Sequence, residues 1–236
     1  MSHAPTDALE RRHHAVRLDI AARSLDALVV TSLPNVLYLT NFTGSAAIAV
    51  LTAKRLYFLT DFRYLTAIND SRGTPQECPD LELVVVEGAY DATLTRLLAS
   101  LPVARIGFEA AHLTVGRHSW ITAALAQAGS SATLVPSESV VERVRVRKDA
   151  YEIATLRDAA HRLSDVAKIV LGDVRRGQTE LELAAAIDAR LRTAGFAKPA
   201  FDTIVAAGPN AALPHARPGR RKLTDGDLVV LDFGGV

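Results

Sequence analysis

Apolar residues in the first 140 positions cluster in short runs. Positions 27–31, 47–51, 56–60, 81–86 and 104–108 are such runs, and several are apolar without interruption. Unbroken apolar runs of this length predict strands covered on both faces, and Gly, Pro, Asn or Asp residues punctuate the gaps between them. Between the runs the period changes to three or four. A helix is predicted over 13–24; Leu94, Leu97, Leu98 and Leu101 predict another after Asp91, and Trp120, Ile121, Ala124 and Leu125 a third that ends near Gly129. Strand and helix alternate in this way to about residue 140, which predicts an α/β layered domain with a parallel or mixed sheet.

The pattern then changes. In 140–148, Arg143, Arg145, Arg147 and Lys148 interleave with Val144 and Val146, which predicts a half-exposed connector. Asp149 and Glu152 stand at capping-box spacing ahead of Ile153, Leu156, Ala160, Leu163, Ala167 and Val170, the stripe of one long amphipathic helix. Thr179 and Glu182 form a second capping box, followed by Leu183, Ala184, Ile187 and Leu191, with Gly195 as a left-handed C-terminal cap. A strand over 201–206, a Gly- and Pro-rich loop over 208–219, a turn at Asp225-Gly226 and a strongly apolar strand over 228–233 complete the chain.

Length turns this change of pattern into a domain boundary. At 236 residues and 25.3 kDa the chain suits two modest domains, 1–146 and 147–236. Hydrophobic residues make up 49% and charged residues 22%, which excludes a disordered or low-complexity chain. The 27 basic and 26 acidic residues nearly cancel, so no global field recruits nucleic acid or an anionic membrane. The single cysteine, Cys78, excludes an internal disulfide and a thiolate metal cage. No segment approaches the ~18 apolar residues of a membrane span, and the polar first twelve residues lack a signal-peptide core, so a cytoplasmic protein is expected. The sequon Asn41-Phe42-Thr43 reads as an ordinary turn beside a buried Phe.

His-Glu-x-x-His, Gly-x-Ser-x-Gly, phosphate-loop and dinucleotide-glycine motifs are all absent. Candidate chemistry gathers instead in the last forty residues, where Asp202, His215 and Asp232 lie on or beside predicted strands. Asp232 lies inside the run Leu228-Val229-Val230-Leu231-Asp232-Phe233, and a carboxylate among apolar neighbours costs several kcal/mol unless a cation or donors compensate it. It is therefore either a compensated buried group or a strand-end residue that faces solvent beside Gly234-Gly235. His215, between Pro214 and Pro218, is either an imidazole held beside a site or a plain loop residue. His3, His13, His14, His112, His118 and His161 have no ligand spacing and are expected on the surface or in packing, and Cys78 is expected to be incidental.

Three stretches resemble one family: 201–212 (Phe-Asp-Thr-Ile-Val-Ala-Ala-Gly-Pro-Asn-Ala-Ala), Pro214-His215-Ala216-Arg217-Pro218, and 226–234 (Gly-Asp-Leu-Val-Val-Leu-Asp-Phe-Gly). They are similar to the Xaa-Pro peptidases, aminopeptidase P and prolidase, of the M24 "pita-bread" metallopeptidases. Residues 25–31, 35–45 and Thr60-Asp61-Phe62-Arg63-Tyr64 are similar to the creatinase-type N-terminal domain of that family. The resemblance implies a creatinase-type α/β domain followed by the first part of a pita-bread α+β catalytic domain. It implies two divalent cations, manganese first and cobalt or zinc as alternatives, proline-containing short peptides as substrates, and a homo-oligomer. Asp232 matches the first aspartate ligand. His215 matches a histidine that lies beside the metals without binding them and assists catalysis, and Phe201 and Asp202 match a supporting strand.

The family's remaining ligands, one aspartate about a dozen residues beyond Asp232, a histidine and two glutamates, have no counterpart in these 236 residues. A C-terminally truncated, inactive chain with an unpartnered core face is therefore expected. Two alternatives stand beside this reading. One is a non-catalytic paralogue used for protein binding or dimerisation, which explains the missing ligands without truncation; the other is a creatinase-like hydrolase, which Asp232 disfavours.

Overall fold

The structure is a computed structural model that describes residues 3–236, and the chain divides into two compact units between Tyr151 and Glu152. The first unit runs α1 (Thr6–Ala22), β1 (Ala27–Val30), α2 (Leu33–Thr40), β2 (Ile48–Thr52), β3 (Leu56–Asp61) and a 3₁₀ turn at Phe62–Tyr64. It continues through α3 (Leu65–Ser71), β4 (Leu81–Val86), α4 (Tyr90–Ser100), β5 (Arg105–Glu109), α5 (Val115–Gln127), β6 (Thr133–Ser137) and α6 (Val140–Val146). The strands form one sheet in the order β4-β3-β2-β1-β5-β6. β2 runs antiparallel to both its neighbours and every other pair is parallel, so the sheet is mixed.

Side chains alternate across a strand, and the apolar runs therefore feed two cores at once. Leu28, Val30, Ala49, Leu51, Leu56 and Phe58 join α1, α2 and α6 on one face. Ala27, Val29, Ile48, Val50, Leu59, Ile106 and Phe108 join α4 and α5 on the other. Five elements differ from the sequence expectation. α1 starts at Thr6, not near residue 13, because Ala8, Leu9 and Arg12 are already buried. α2, α3 and β6 were not foreseen; α2 is marked only by Pro34 in its first turn and a left-handed Asn41 at its end. Segment 140–146, expected as a half-exposed connector, is a helix. Val140 and Val141 are buried and Val144 packs beside them, which is helical spacing.

The second unit contains nearly all of α7 (Ala150–Asp173), then α8 (Glu180–Thr193), β7 (Ile204–Ala207), a 3₁₀ turn at Gly208–Ala212 and β8 (Val229–Asp232). β7 and β8 form a two-stranded antiparallel sheet with Ile204 opposite Asp232. The capping box that opens α8 is present as expected. Thr179 Oγ1 accepts from Glu182 N, and the Glu182 carboxylate accepts from Thr179 N at 2.8 Å. One apolar cluster holds the unit together, built from Val166, Val170, Leu183, Ile187, Leu191, Val205, Ala207 and Leu223. The expected strand at 201–206 begins only at Ile204, so Phe201 and Asp202 precede it.

Candidate functional site

In β8 the alternation of faces decides how Asp232 is placed. Val229 and Leu231 turn toward the apolar cluster, whereas Val230 and Asp232 turn outward and are exposed. Of the two readings open from sequence, the strand-end carboxylate facing outward is the one observed. Beyond it, Ala200 N donates to Gly234 O at 2.9 Å, and a Cβ at Gly234 would meet the Phe201 ring at 3.2 Å. Glycine there lets the chain after Asp232 run beside the half-exposed Phe201. The Ile204–Asp232 register keeps Asp202 two residues from the residue opposite the candidate ligand.

His215 is exposed in the loop that joins the 3₁₀ turn to β8. Leu213 N donates to Asn210 O and Ala216 N to Leu213 O, and Ala216 is buried, so the loop folds on itself around the histidine. Among the described residues, neither His215 nor Asp232 has a side-chain hydrogen bond or ion pair, and the two do not bond each other.

The loop is fastened by a residue that the sequence reading passed over. Glu180, the first residue of α8, is 0% exposed. Its Oε1 accepts from Ala207 N at 2.8 Å and from Asn210 Nδ2 at 3.0 Å, while Oε2 accepts from Gly219 N at 3.0 Å. Burial pushes the Glu180 pKa up, but the donors at Ala207, Asn210 and Gly219, with the Arg221 charge, outweigh it and hold the carboxyl below its ordinary range. Nearby, Arg221 donates Nε–H to Ala207 O at 2.9 Å and Nη2–H to the Asp227 carboxylate at 2.9 and 3.1 Å. Gly208, at φ +53°, lies so close to this pair that any Cβ would strike both. The Thr179–Glu182 spacing identified the helix start, yet a first-turn acid such as Glu180 is common there, and nothing local marks it as buried.

Elsewhere, several buried polar groups serve packing. Asn35, fully buried, donates to Glu109 at 2.7 Å and to Glu142 at 2.6 Å while accepting from Arg145 at 2.7 Å, so its amide is fully used. Burial pushes the Cys78 thiol up to about 12, which makes it unreactive at neutral pH. Burial likewise lowers His13 to about 4, against the opposing pull of the Leu39 carbonyl that its Nε2 contacts at 2.7 Å.

Among the described residues, no three His, Cys, Asp or Glu side chains come together in a group that could hold a metal ion. Two divalent cations need several carboxylates and imidazoles converging on them. Asp232 alone does not meet that need, so the donor set present here does not fit a dinuclear centre.

Residues 12–147 match the family model described as Creatinase/Prolidase N-terminal domain. The chain belongs to the creatinase/prolidase family. Its second unit, over residues 154–236, matches Metallopeptidase family M24. The fold class expected from sequence, a creatinase-type α/β domain followed by part of an M24 peptidase domain, is therefore the one observed. Among curated relatives, this creatinase/prolidase chain is 33% identical over 210 residues to the "Uncharacterized peptidase YqhT" of Bacillus subtilis, covering 89% of the chain and 57% of that protein. Among solved structures it is similar to an Xaa-Pro dipeptidase from Bacillus anthracis, with TM-score 0.84, 28% identity, and coverage of 96% of the chain and 61% of that one. It is also similar to an X-Pro aminopeptidase from Thermotoga maritima, with TM-score 0.78, 27% identity, and coverage of 90% and 59%. The chain thus spans about three-fifths of the length of these relatives. No helix among its described residues is long and apolar enough to cross a membrane.

Proposed function

We propose that this chain is the N-terminal portion of a dinuclear-metal Xaa-Pro peptidase that hydrolyses the peptide bond before proline in short peptides. The observation that carries the reading is the match of both units, in family order, to a creatinase/prolidase N-terminal domain and an M24 segment, with Asp232 presented outward at the end of β8. Proline's tertiary amide has no N–H and a fixed ring, so a dedicated site suits such substrates. In this reading Asp232 supplies one carboxylate ligand and His215 faces the substrate beside the metals. The other ligands come from outside the 236 residues, and no hydrolytic step is assigned to this chain alone. The protein is cytoplasmic, uses manganese first among divalent cations, and works as a homo-oligomer.

The test is made on the protein isolated from its native source. Its intact mass is measured, and manganese-dependent hydrolysis of Ala-Pro is compared with that of Ala-Ala. A mass well above 25.3 kDa together with Ala-Pro turnover supports the proposal. A mass of 25.3 kDa with binding to another subunit and no turnover favours the non-catalytic paralogue, for which the poor donor set speaks. In the active protein, Asp232→Ala is expected to remove one bound metal and most activity, and His215→Ala to leave both metals and lower kcat. Full activity in Asp232→Ala would overturn the ligand assignment.

A further inference from the structure

The loop that carries His215 spans residues 208–219 and is held at its base by one buried carboxylate, and that arrangement suggests a role for Glu180. A charge taken wholly out of water persists only when donors surround it, and all three donors found here belong to this loop's base. Ala207 N lies at the loop's start, Asn210 in its 3₁₀ turn and Gly219 N at its far end. The first amides of α8 return the contact. Glu180 N donates to Arg221 O and Leu181 N to Gly219 O, each at 3.0 Å, so carbonyls at and just beyond the loop's end cap the helix while the helix's first side chain caps the loop. Arg221 adds a second fastening on Ala207 O, and the positive-φ Gly208 makes room for it.

We propose that Glu180 is a positioning residue that pins both ends of the 208–219 loop and thereby fixes where His215 is presented. The proposal rests on the reading of His215 as a substrate-facing histidine. Glu180 touches no substrate; it acts through the loop. Its carboxylate draws the two ends together onto α8, so the eight residues between Asn210 and Gly219 are confined to a short span, with Ala216 buried at its centre and His215 beside it outside.

Glu180→Gln separates this role from bulk stability. The Gln carbonyl still accepts from Ala207 and Asn210, but its amide meets the Gly219 N–H donor to donor. The expected result, by hydrogen exchange on the 236-residue chain, is Gly219 exchange faster by about tenfold or more, while Ala207 and the α8 core around Ile187 keep their protection. The His215 imidazole NMR signals shift at the same time. Unchanged exchange at Gly219, or unmoved His215 signals, overturns the proposal. Should Glu180→Gln loosen the whole unit, Asn210→Ala decides, since it removes one donor and leaves the carboxylate. Faster exchange confined to 208–219 then supports the clamp, and no local change overturns it.

In the native protein, Glu180→Gln is expected to lower kcat on Ala-Pro with little effect on KM, and to add nothing to His215→Ala in the double variant. Additive losses overturn the coupling to His215. If His215→Ala leaves turnover unchanged, the functional reading of the histidine fails, and the exchange data still judge the clamp on their own.

Discussion

The two units bury their apolar residues with very different completeness. Ten of the sixteen large hydrophobic side chains exposed among the described residues lie in 152–236, little more than a third of the chain. Ile153, Leu156, Leu171 and Leu228 are among them, and Leu228 is 72% exposed. In the first unit, six strands are covered by helices on both faces, and Phe58, Leu59 and Ile106 are fully enclosed. In the second, two strands share one cluster and β8 turns every other residue outward. The difference teaches where each unit's order comes from. A sheet with two covered faces is held by volume filling, whereas the second unit depends more on polar fastenings such as Glu180 and Arg221.

Phe58→Ala offers the largest way to break this contrast. Phe58 is 1% exposed and meets Phe42 edge-on at 5.1 Å, so its truncation is expected to destabilise the first unit by about 3–5 kcal/mol. Trp120, the single tryptophan, lies in that unit, and urea unfolding followed by its fluorescence reads the loss directly. A midpoint unchanged by Phe58→Ala would refute the volume-filling account. A somewhat smaller effect comes from pH. His13 is 0% exposed and its pKa falls from 6.5 to about 4 on folding, so the unfolded chain takes up a proton before the folded one does. Stability of the first unit is therefore full above about pH 6.5 and declines as pH falls toward 4, by about 3 kcal/mol in all. His13→Gln should flatten that slope in the same fluorescence assay; an equally steep slope would assign the pH dependence to other groups. The smallest effect is expected at Leu228→Ser, below about 0.5 kcal/mol, with the Trp120 transition unmoved. A loss above 2 kcal/mol by calorimetry would mean that this exposed position carries packing energy after all.

Much of the fold was legible in the chain because its signals are local. The five apolar runs became β1 to β5, and the capping box at Thr179 formed as read. What escaped was local in neither sense. α2 and α3 are eight and seven residues long, too short for their period to stand out, and β6 gains its place only by pairing with β5. At the candidate site, Asp232, His215 and Asp202 were singled out by their place on or beside apolar strands, and the roles expected of them and of Phe201 came from the family resemblance. Glu180 was not, since an acid in a first helical turn looks the same in sequence whether it faces water or three buried donors.

Sequence by itself determined the two-part organisation, the strand and helix periods and the family, because these depend on residues close together in the chain. Only the tertiary structure decided that β8 turns Asp232 outward, that 140–146 coils into α6, and that Glu180 lies beneath the His215 loop. The first two depend on which side chains the packed unit buries, and the last also on donors brought from 27 to 39 residues away, as Ala207 and Gly219 are brought to Glu180. Such pairings are set by packing of the whole unit, where an unpartnered buried charge is too costly to leave.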